Sequence, residues 1–367
     1  MNIPFFNYQS LFKENEKKFI EIFSDIGRRG AYIMQDDLSK FESKIEEYTG
    51  IKHAIGVANA TDAIQLLLKA GGIGIGDEVI FCSHTMVATA SAIAFTGATP
   101  IPVEAGPDHL IDTESIIKAI TPRTKAIIPT QLNGRVANMD KILDIAKEYG
   151  LQIYEDSAQA LGAKYKGQCA GSFGLGGCIS FYPAKTLGCF GDGGMVLTDD
   201  PDLAQKIKRL ADYGQTERHV HTEIGYNSRL DTLQAAVLLA KLPYLPQWTK
   251  NRRRAAKWYD RKLSSLSVTR PATAAGAEPV YHLYAVLVED RDDCLSWLRD
   301  RGVMAQVHYH GLIHLQECYN HLGYKVGNFP VAEKIHKHSL SLPLYPEITE
   351  QQINRVVDVL GRFPAFK

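Results

Sequence analysis

The sequence carries no excess of charge of either sign, since 41 Lys and Arg residues balance 41 Asp and Glu residues. Proteins that bind nucleic acid or anionic membranes usually have a basic excess, so we expect neither as a partner. Cysteine is also scarce, with 6 residues in a chain of 367 and no C-x-x-C pair. Such sparse cysteines do not provide a disulfide framework, and we therefore expect a reduced, cytoplasmic setting.

Segments that lead to or cross a membrane are not indicated either. The first residues, MNIPFFNYQSLFKENEKKF, do not combine a basic stretch with the long apolar stretch of a signal peptide. Residues 79–103 contain no Asp, Glu, Lys or Arg. Serine, threonine, glycine and proline interrupt them, however, whereas a bilayer helix needs about 20 predominantly apolar residues. We expect a strand, a helix and a second strand buried in a large core.

Several cofactor and metal motifs are missing from the sequence. It contains no G-x-x-x-x-G-K-[ST] phosphate loop and no H-E-x-x-H zinc motif, so we expect no metal site. The glycines of GGIGIGDE follow a helical pattern rather than a strand, which makes them a poor dinucleotide-binding fingerprint. They are more typical of a helix end and a turn.

Short apolar runs alternate with amphipathic segments through the first two thirds of the chain. HAIGVA, DEVIFC, ATPIPV, KAIIPT and LQIYED are typical of strands, while TDAIQLLLKAGG, TMVATASAIAFTG and MDKILDIAKEYG are typical of helices. This alternation predicts an α/β fold with a mostly parallel sheet covered on both faces. Ligands of such sheets bind at the carboxyl ends of the strands.

The remaining third of the chain has a different pattern. A long charged helix is predicted over about 242–266, followed by VYHLYAVLVE, DDCLSWLRDRG and AQVHYH as strand, helix and strand. We therefore predict a large cofactor-binding domain over 1–244 and a smaller α+β domain, including the linker helix, over 245–367. The N-terminal helix is a candidate for packing against the small domain.

The stretch SFYPAKTLGCFGDGG places Lys185 in an uncharged, glycine-rich setting, and three further features give this lysine a context. Asp156 ends a predicted strand, Thr61 begins a predicted helix where backbone N–H groups favour a phosphate, and Ser180 ends an apolar run. Pyridoxal phosphate (PLP) requires a lysine for its Schiff base, a carboxylate for its pyridine nitrogen and an anion site. Individually, Lys185 could be a solvated side chain, and Asp156 and Thr61 could be helix caps.

The order of several motifs resembles the DegT/DnrJ/EryC1/StrS family of nucleotide-sugar aminotransferases. The matching stretches are GVANATDAI, GDEVI, TMVATASAI, TPRTKAIIP, EDSAQALGA, SFYPAKTLGCFGDGG and GYNSRLDTLQAA. The resemblance implies a type I aminotransferase fold with a mostly parallel seven-stranded sheet, and a homodimer with shared active sites. It also implies an activity in the biosynthesis of surface polysaccharides or antibiotic sugars.

The resemblance also assigns roles to individual residues. Lys185 matches the Schiff-base lysine, Asp156 the partner of the pyridine nitrogen, and Gln159 the contact near the phenolic oxygen of the ring. The phosphate ligands that it implies are Thr61 and Ser180, with Asn227 of the adjacent subunit. Ala60 and Met86 are implied as neighbouring cofactor contacts. The implied substrate contacts are Arg229, His308 and Tyr309. Arg229 could instead form a structural salt bridge, and His308 and Tyr309 could be core residues.

The family's usual reaction moves an amino group from L-glutamate to a nucleotide-linked ketosugar. YNSRLDTLQAA resembles the members that act on 3-ketosugars, and the alternative is a 4-ketosugar aminotransferase. A dehydratase is a further alternative, but family dehydratases have histidine at the position of Lys185. A non-catalytic PLP-binding regulator is a third.

The sequence departs from the family pattern in three places. Met86 replaces an aromatic residue that often stacks on the cofactor, Ala60 replaces a usual glycine, and HYHGLIH replaces the common HYP-x-P-x-H. These departures leave the identity of the sugar open.

Overall fold

The computed structural model describes residues 2–366, and its elements follow the alternation predicted from the sequence. Its α-helices are α1 Tyr8–Arg29, α2 Asp36–Thr49, α3 Ala60–Ala70, α4 Val87–Phe95, α5 Thr113–Ala119, α6 Met139–Tyr149, α7 Pro201–Ala211, α8 Thr232–Lys241, α9 Leu245–Lys262, α10 Arg291–Asp300, α11 Pro330–His338 and α12 Glu350–Gly361. Its strands are β1 His53–Val57, β2 Glu78–Cys82, β3 Thr99–Val103, β4 Thr124–Ile128, β5 Gln152–Asp156, β6 Lys164–Tyr165, β7 Gln168–Cys169, β8 Gly176–Ser180, β9 Gly194–Thr198, β10 Gln215–Glu217, β11 Val220–His221, β12 Ala277–Glu278, β13 Tyr284–Leu287 and β14 Ser339–Leu342.

The central sheet has seven strands in the order β1-β9-β8-β5-β4-β2-β3. β9 runs antiparallel to both of its neighbours, and the pairs from β8 through β5, β4 and β2 to β3 are parallel. β2 and β8 are buried along their whole length, as expected for strands covered by helices on both faces. The prediction of a mostly parallel seven-stranded sheet is confirmed.

The parallel topology brings functional residues to one edge of the sheet. Asp156 is the last residue of β5 and Ser180 is the last residue of β8. β1 ends close to the start of α3, where the side chain of Asn59 accepts a hydrogen bond from the backbone N–H of Asp62 (2.9 Å). Residues far apart in the chain thereby meet where ligands of α/β sheets bind.

A glycine permits the close approach of β9 to the start of α3. A Cβ atom on Gly194 would lie 2.3 Å from the carbonyl carbon of Asn59 and 2.7 Å from the backbone nitrogen of Ala60. Any side chain at position 194 would therefore displace the first turn of α3.

The last third of the chain packs around its own hydrophobic cluster. Apolar residues of α9, α10 and α12 surround the antiparallel pair of β13 and β14, and Ile3 joins them from the N-terminal segment. α1 packs against α8. The division of the chain at residue 245 stays a prediction.

One strand prediction is wrong. The stretch AQVHYH, 305–310, forms a single bridge between Gln306 and Ser341 rather than a strand. Beyond this bridge the chain turns toward the central sheet, and the hydroxyl of Tyr309 contacts Gln159. Tertiary contacts at the cavity therefore replace the ladder that the alternating pattern favours.

Two features are absent from residues 2–366. No helix in this range is both long enough and apolar enough to cross a membrane. No group of three or more His, Cys, Asp or Glu side chains in it is arranged to hold a metal ion.

Candidate active site

A cavity of about 420 Å³ lies at the carboxyl edge of the central sheet. It collects most of the site residues expected from the sequence. Those that line it are Ala60, Thr61, Met86, Asp156, Gln159, Ser180, Lys185, His308 and Tyr309.

Lys185 lies in the loop between β8 and β9. Its backbone N–H donates to the carbonyl of Tyr182 (2.8 Å), so the residue sits in a tight turn just after the strand. Burial lowers the pKa of the Lys185 amine to about 8, and the nearby Asp156 carboxylate opposes this shift. A substantial fraction of the amine is therefore neutral slightly above neutral pH, as a nucleophile or a base requires.

Asp156 is held on both its backbone and its side chain. Its backbone N–H donates to Pro129 O (3.1 Å) and its carbonyl accepts from the N–H of Gln131 (2.9 Å). Its Oδ1 accepts from the N–H of Ala158 (3.2 Å), and its Oδ2 accepts from the hydroxyl of Thr89 (2.6 Å). The carboxylate lines the cavity with a fixed orientation and is 5% exposed.

Gln159 links the sheet to the loop that carries Tyr309. Its Oε1 accepts from the backbone N–H of Asn133 (2.7 Å), and its Nε2 donates to the hydroxyl of Tyr309 (2.5 Å). Burial raises the pKa of Tyr309, which keeps the phenol protonated. Because the phenol oxygen accepts from Gln159, its own proton can be donated to a ligand.

Three further residues of the cavity lining offer groups suited to an anion. Ala60 and Thr61 occupy the first turn of α3, whose backbone N–H groups and dipole favour negative charge. The Ser180 hydroxyl accepts from the backbone N–H of Tyr182 (3.3 Å), and its proton remains available to a ligand.

The imidazoles of His282 and His308 also line the cavity. Burial, helped by the charge of Lys185, lowers the pKa of His308 to about 4 and that of His282 well below its ordinary value. His308 Nδ1 lies 3.0 Å from the Ser341 hydroxyl. Both rings are therefore neutral near pH 7 and can act as hydrogen-bond partners rather than cations.

The structure adds cavity residues that sequence reasoning missed. His282 lies in VYHLY, which was interpreted only as a strand. Tyr182 lies in SFYPAKTLGCFGDGG and Gln306 in AQVHYH, but neither residue was assigned a role. Thr85 and Thr130 line the cavity from the loop before α4 and the segment after β4. A polar residue within an apolar pattern was the only signal for these positions, and it does not specify which side chains meet.

Met86 precedes α4 and is 44% exposed at the cavity. Its sulfur accepts from the backbone N–H of Ala88 (3.1 Å). A thioether can contact an aromatic ring, so this position can cover part of one face of a planar ligand.

Asn227 and Arg229 lie outside the cavity of their own chain. Asn227 is exposed and forms a backbone bridge with Asp212. Arg229 forms a salt bridge with the same aspartate, with Nη1 3.2 Å from Oδ1, and its guanidinium lies over the ring of Tyr213 at 5.8 Å from the centroid. Their predicted roles in cofactor and substrate binding stay predictions.

The groups of the cavity fit the chemistry of PLP. Lys185 supplies a buried amine with a lowered pKa, Asp156 an oriented carboxylate, and the start of α3 with Ser180 an anion site. These are the amine, ring-nitrogen partner and phosphate ligands that this cofactor requires.

Comparison with known proteins agrees with this chemistry. A profile described as the DegT/DnrJ/EryC1/StrS aminotransferase family matches residues 13–361. A Geobacillus stearothermophilus protein named pleiotropic regulatory protein is 40% identical over 99% of both chains. The UDP-N-acetyl-3-dehydro-alpha-D-glucosamine 3-aminotransferase of Acidithiobacillus ferrooxidans is 40% identical over 93% of both chains. The crystal structure of Streptomyces venezuelae DesV in complex with a ketimine intermediate is similar with a TM-score of 0.95 and 40% identity, over 98% of this chain and 97% of DesV.

Proposed function

We propose that this chain, which belongs to the DegT/DnrJ/EryC1/StrS aminotransferase family, transfers the amino group of L-glutamate to a nucleotide-linked 3-ketosugar. As a member of this family it is a PLP-dependent aminotransferase. The observation that carries the proposal is the arrangement of Lys185 and Asp156 in one cavity with the start of α3. This arrangement unites the three groups that PLP-dependent amino transfer requires.

Lys185 is the proposed catalytic residue. When bound, PLP supplies an aldehyde that condenses with amines and a ring that accepts an electron pair. The lysine amine holds the cofactor between turnovers, and once released by glutamate it moves the proton of the substrate carbon. Burial favours this role, because it lowers the pKa of Lys185 to about 8 and so leaves neutral amine to act as a base.

The other cavity residues bind and orient. Asp156 is proposed to hold a proton on the ring nitrogen, which requires an ionised carboxylate at a fixed place. Gln159 and Tyr309, joined at 2.5 Å, are proposed to face the phenolic oxygen and the substrate. Thr61 and Ser180, together with the N–H groups of α3, are proposed to bind the phosphate.

The position of amination is proposed to be C3 of the sugar. YNSRLDTLQAA resembles the segment of family members that act on 3-ketosugars, and the name of the Acidithiobacillus ferrooxidans relative specifies a 3-dehydro sugar. The neutral imidazole of His308 and the phenol of Tyr309 can hydrogen-bond sugar hydroxyls without introducing charge.

A homodimer with shared active sites is proposed as the working form. Asn227 and Arg229 lie outside the cavity of their own chain, so a role at a cavity requires a second copy of the chain. Tyr182 and Phe190 beside the cavity are 51% and 46% exposed, and Ile224 near Asn227 is 96% exposed. These are large exposed apolar side chains that the proposed second copy would cover.

Two other activities are weighed against this proposal. Family dehydratases carry histidine at the Schiff-base position, and this chain has Lys185 there. The Geobacillus stearothermophilus relative is named as a regulator; a PLP-binding regulator would keep the same lysine and carboxylate, so the response of the bound cofactor to glutamate separates it from an aminotransferase. We also propose a cytoplasmic location, because all six cysteines are free thiols.

The test is a paired substrate assay. Purified protein loaded with PLP is incubated with L-glutamate and either a nucleotide-linked 3-ketohexose or its 4-keto isomer. We expect 2-oxoglutarate and an aminated sugar, measured by mass spectrometry, from the 3-keto substrate. Amination of the 4-keto isomer alone would correct the position. A failure of glutamate to alter the cofactor absorbance would favour the regulator.

A further inference from the structure

The buried side chain of Thr89 makes a contact that the proposed mechanism does not use. Thr89 is 0% exposed in α4, and its hydroxyl donates to Asp156 Oδ2 at 2.6 Å, across 67 positions of sequence. A threonine within a helix commonly bonds to the preceding turn of its own helix. Thr89 instead directs its single hydroxyl proton to the carboxylate on another element.

This contact belongs to a small hydroxyl network. The Thr85 hydroxyl lies 3.3 Å from that of Thr89 and donates to that of Thr130 at 3.2 Å. Thr85 and Thr130 line the cavity, whereas Thr89 does not. Thr89 can therefore influence a ligand in the cavity only through the groups that it touches.

We infer that Thr89 is a positioning residue that sets the orientation and basicity of Asp156 toward the ring nitrogen of the bound cofactor. The inference rests on the role proposed above for Asp156. The Ala158 N–H and the Cys178 thiol (3.5 Å) donate to one carboxylate oxygen and Thr89 donates to the other, so the carboxylate plane cannot rotate freely. Hydrogen bonds to an ionised carboxylate stabilise the charged form, which keeps the shared proton on the ring nitrogen.

The test compares two substitutions at this position. Thr89→Val removes the hydroxyl at nearly constant volume, and Thr89→Ser keeps it. A carboxylate that has lost a donor is a stronger base, so in Thr89→Val the ring-nitrogen proton is drawn toward Asp156 and the positive charge on the ring falls. When the absorbance of the bound cofactor is titrated with pH, we expect the pH at the midpoint of the absorbance change to rise by about half a pH unit or more. We also expect kcat to fall roughly tenfold with little change in the KM for glutamate. Thr89→Ser is expected to remain near wild type.

Thr96 offers a matched control at the other end of the same helix. It is buried, and its hydroxyl donates to Ile93 O (2.7 Å) rather than to Asp156. Thr96→Val also loses a buried hydroxyl with its hydrogen bonds, including the one it accepts from the N–H of Ala98 (3.2 Å), so its loss of thermal stability should be at least that of Thr89→Val. It should leave the titration of the cofactor absorbance unchanged.

A double-variant cycle separates this inference from the proposed role of Asp156. Asp156→Asn should change the cofactor spectrum by itself, and adding Thr89→Val to it should change the spectrum no further. A wild-type titration in Thr89→Val, with an altered one in Asp156→Asn, would overturn the inference and leave the proposed function intact. An unaltered spectrum in Asp156→Asn would overturn both the role of Asp156 and the inference. Equal spectral shifts in Thr89→Val and Thr96→Val would also overturn the inference, because they would show a general packing effect.

Discussion

The end of β5 and the segment 213–230 differ in how many of their functional groups find partners within one chain. At the end of β5, both carboxylate oxygens and both backbone groups of Asp156 have partners within the same chain. In the segment 213–230, Asn227 is exposed, Ile224 is 96% exposed, and Arg229 contacts Asp212 outside the cavity. Within one chain the polar groups of Asp156 are satisfied, whereas the second region has the exposed residues that the proposed dimer would cover.

This difference separates two ways of building an active site. The reactive groups, Lys185 and Asp156, are oriented by the fold itself and need no second chain for their geometry. The proposed roles of Asn227 and Arg229 in binding the phosphate and substrate require assembly with a second chain. Substitutions in the first region should therefore change the chemistry in every chain, and those in the second should depend on which chain carries them.

The largest effect is expected from Lys185→Ala. Loss of the amine removes both the covalent attachment of PLP and the proton transfer, so turnover should fall by at least about 10³-fold. Formation of 2-oxoglutarate measures this loss, and circular dichroism reports whether the fold is kept. Lys206→Ala is the matched control, because its amine donates to Ala70 O (2.9 Å) at a distance from the chemistry. Normal turnover in Lys185→Ala would contradict the assignment.

The pH dependence of cofactor attachment should show the next largest effect. Burial lowers the pKa of Lys185 to about 8, so the neutral amine predominates above this pH and is lost below it. The rate of attachment of PLP to the cofactor-free protein should fall roughly tenfold for each pH unit below 8 and level off above it. Absorbance and the mass after borohydride reduction measure the reaction. A rate that stays constant between pH 6 and 9 would show that burial of this amine does not control its reactivity.

The same comparison shows which site residues could be predicted from the sequence and which could not. The carboxyl ends of parallel strands meet at one edge of a sheet, so Asp156, Ser180 and the start of α3 could be brought together from their positions after apolar runs. Thr89 could not, because a threonine inside an apolar helix pattern resembles an ordinary core residue. His282 was missed because its neighbours resemble a strand.

The stretch 305–310 was misinterpreted for a related reason. Its alternating pattern favours a strand, but the requirement to place Tyr309 against Gln159 overrides the local preference. Local periodicity predicts which residues are buried, but it does not predict whether they pack in a sheet or line a cavity.

Asn227→Ala tests the second region directly. If Asn227 binds the phosphate of a neighbouring subunit, its loss should weaken PLP binding by roughly tenfold, since a hydrogen bond to a charged group is removed. Equilibrium titration of the cofactor-free variant measures this change. When PLP is limiting, so that Asn227→Ala alone is poorly loaded, mixing it with Lys185→Ala should raise activity, because in a mixed dimer one site receives an intact Lys185 and an intact Asn227.

The control for this mixing experiment uses a chain with both substitutions. When that double variant is mixed with Asn227→Ala, every site with Lys185 still lacks Asn227, so activity should not rise. Recovery limited to the first mixture would establish shared sites. Equal activities in the two mixtures would place the effect of Asn227 within its own chain and remove the distinction between the two regions.

The smallest effect is expected from Arg229→Gln, which asks whether this arginine acts beyond its salt bridge. Within one chain it contacts Asp212 at 3.2 Å with both side chains partly exposed, and such pairs contribute only about 0–1 kcal/mol to stability. If Arg229 also binds a substrate carboxylate in a neighbouring cavity, its loss should raise the KM for glutamate or for a uronic sugar severalfold while kcat changes little.

Arg209→Gln is a matched control, since it breaks a comparable salt bridge with Glu223, also at 3.2 Å. Steady-state kinetics on both variants decide the question. Equal small losses of stability with unchanged KM values would assign Arg229 to the surface alone, and a raised KM in Arg229→Gln only would assign it to the substrate.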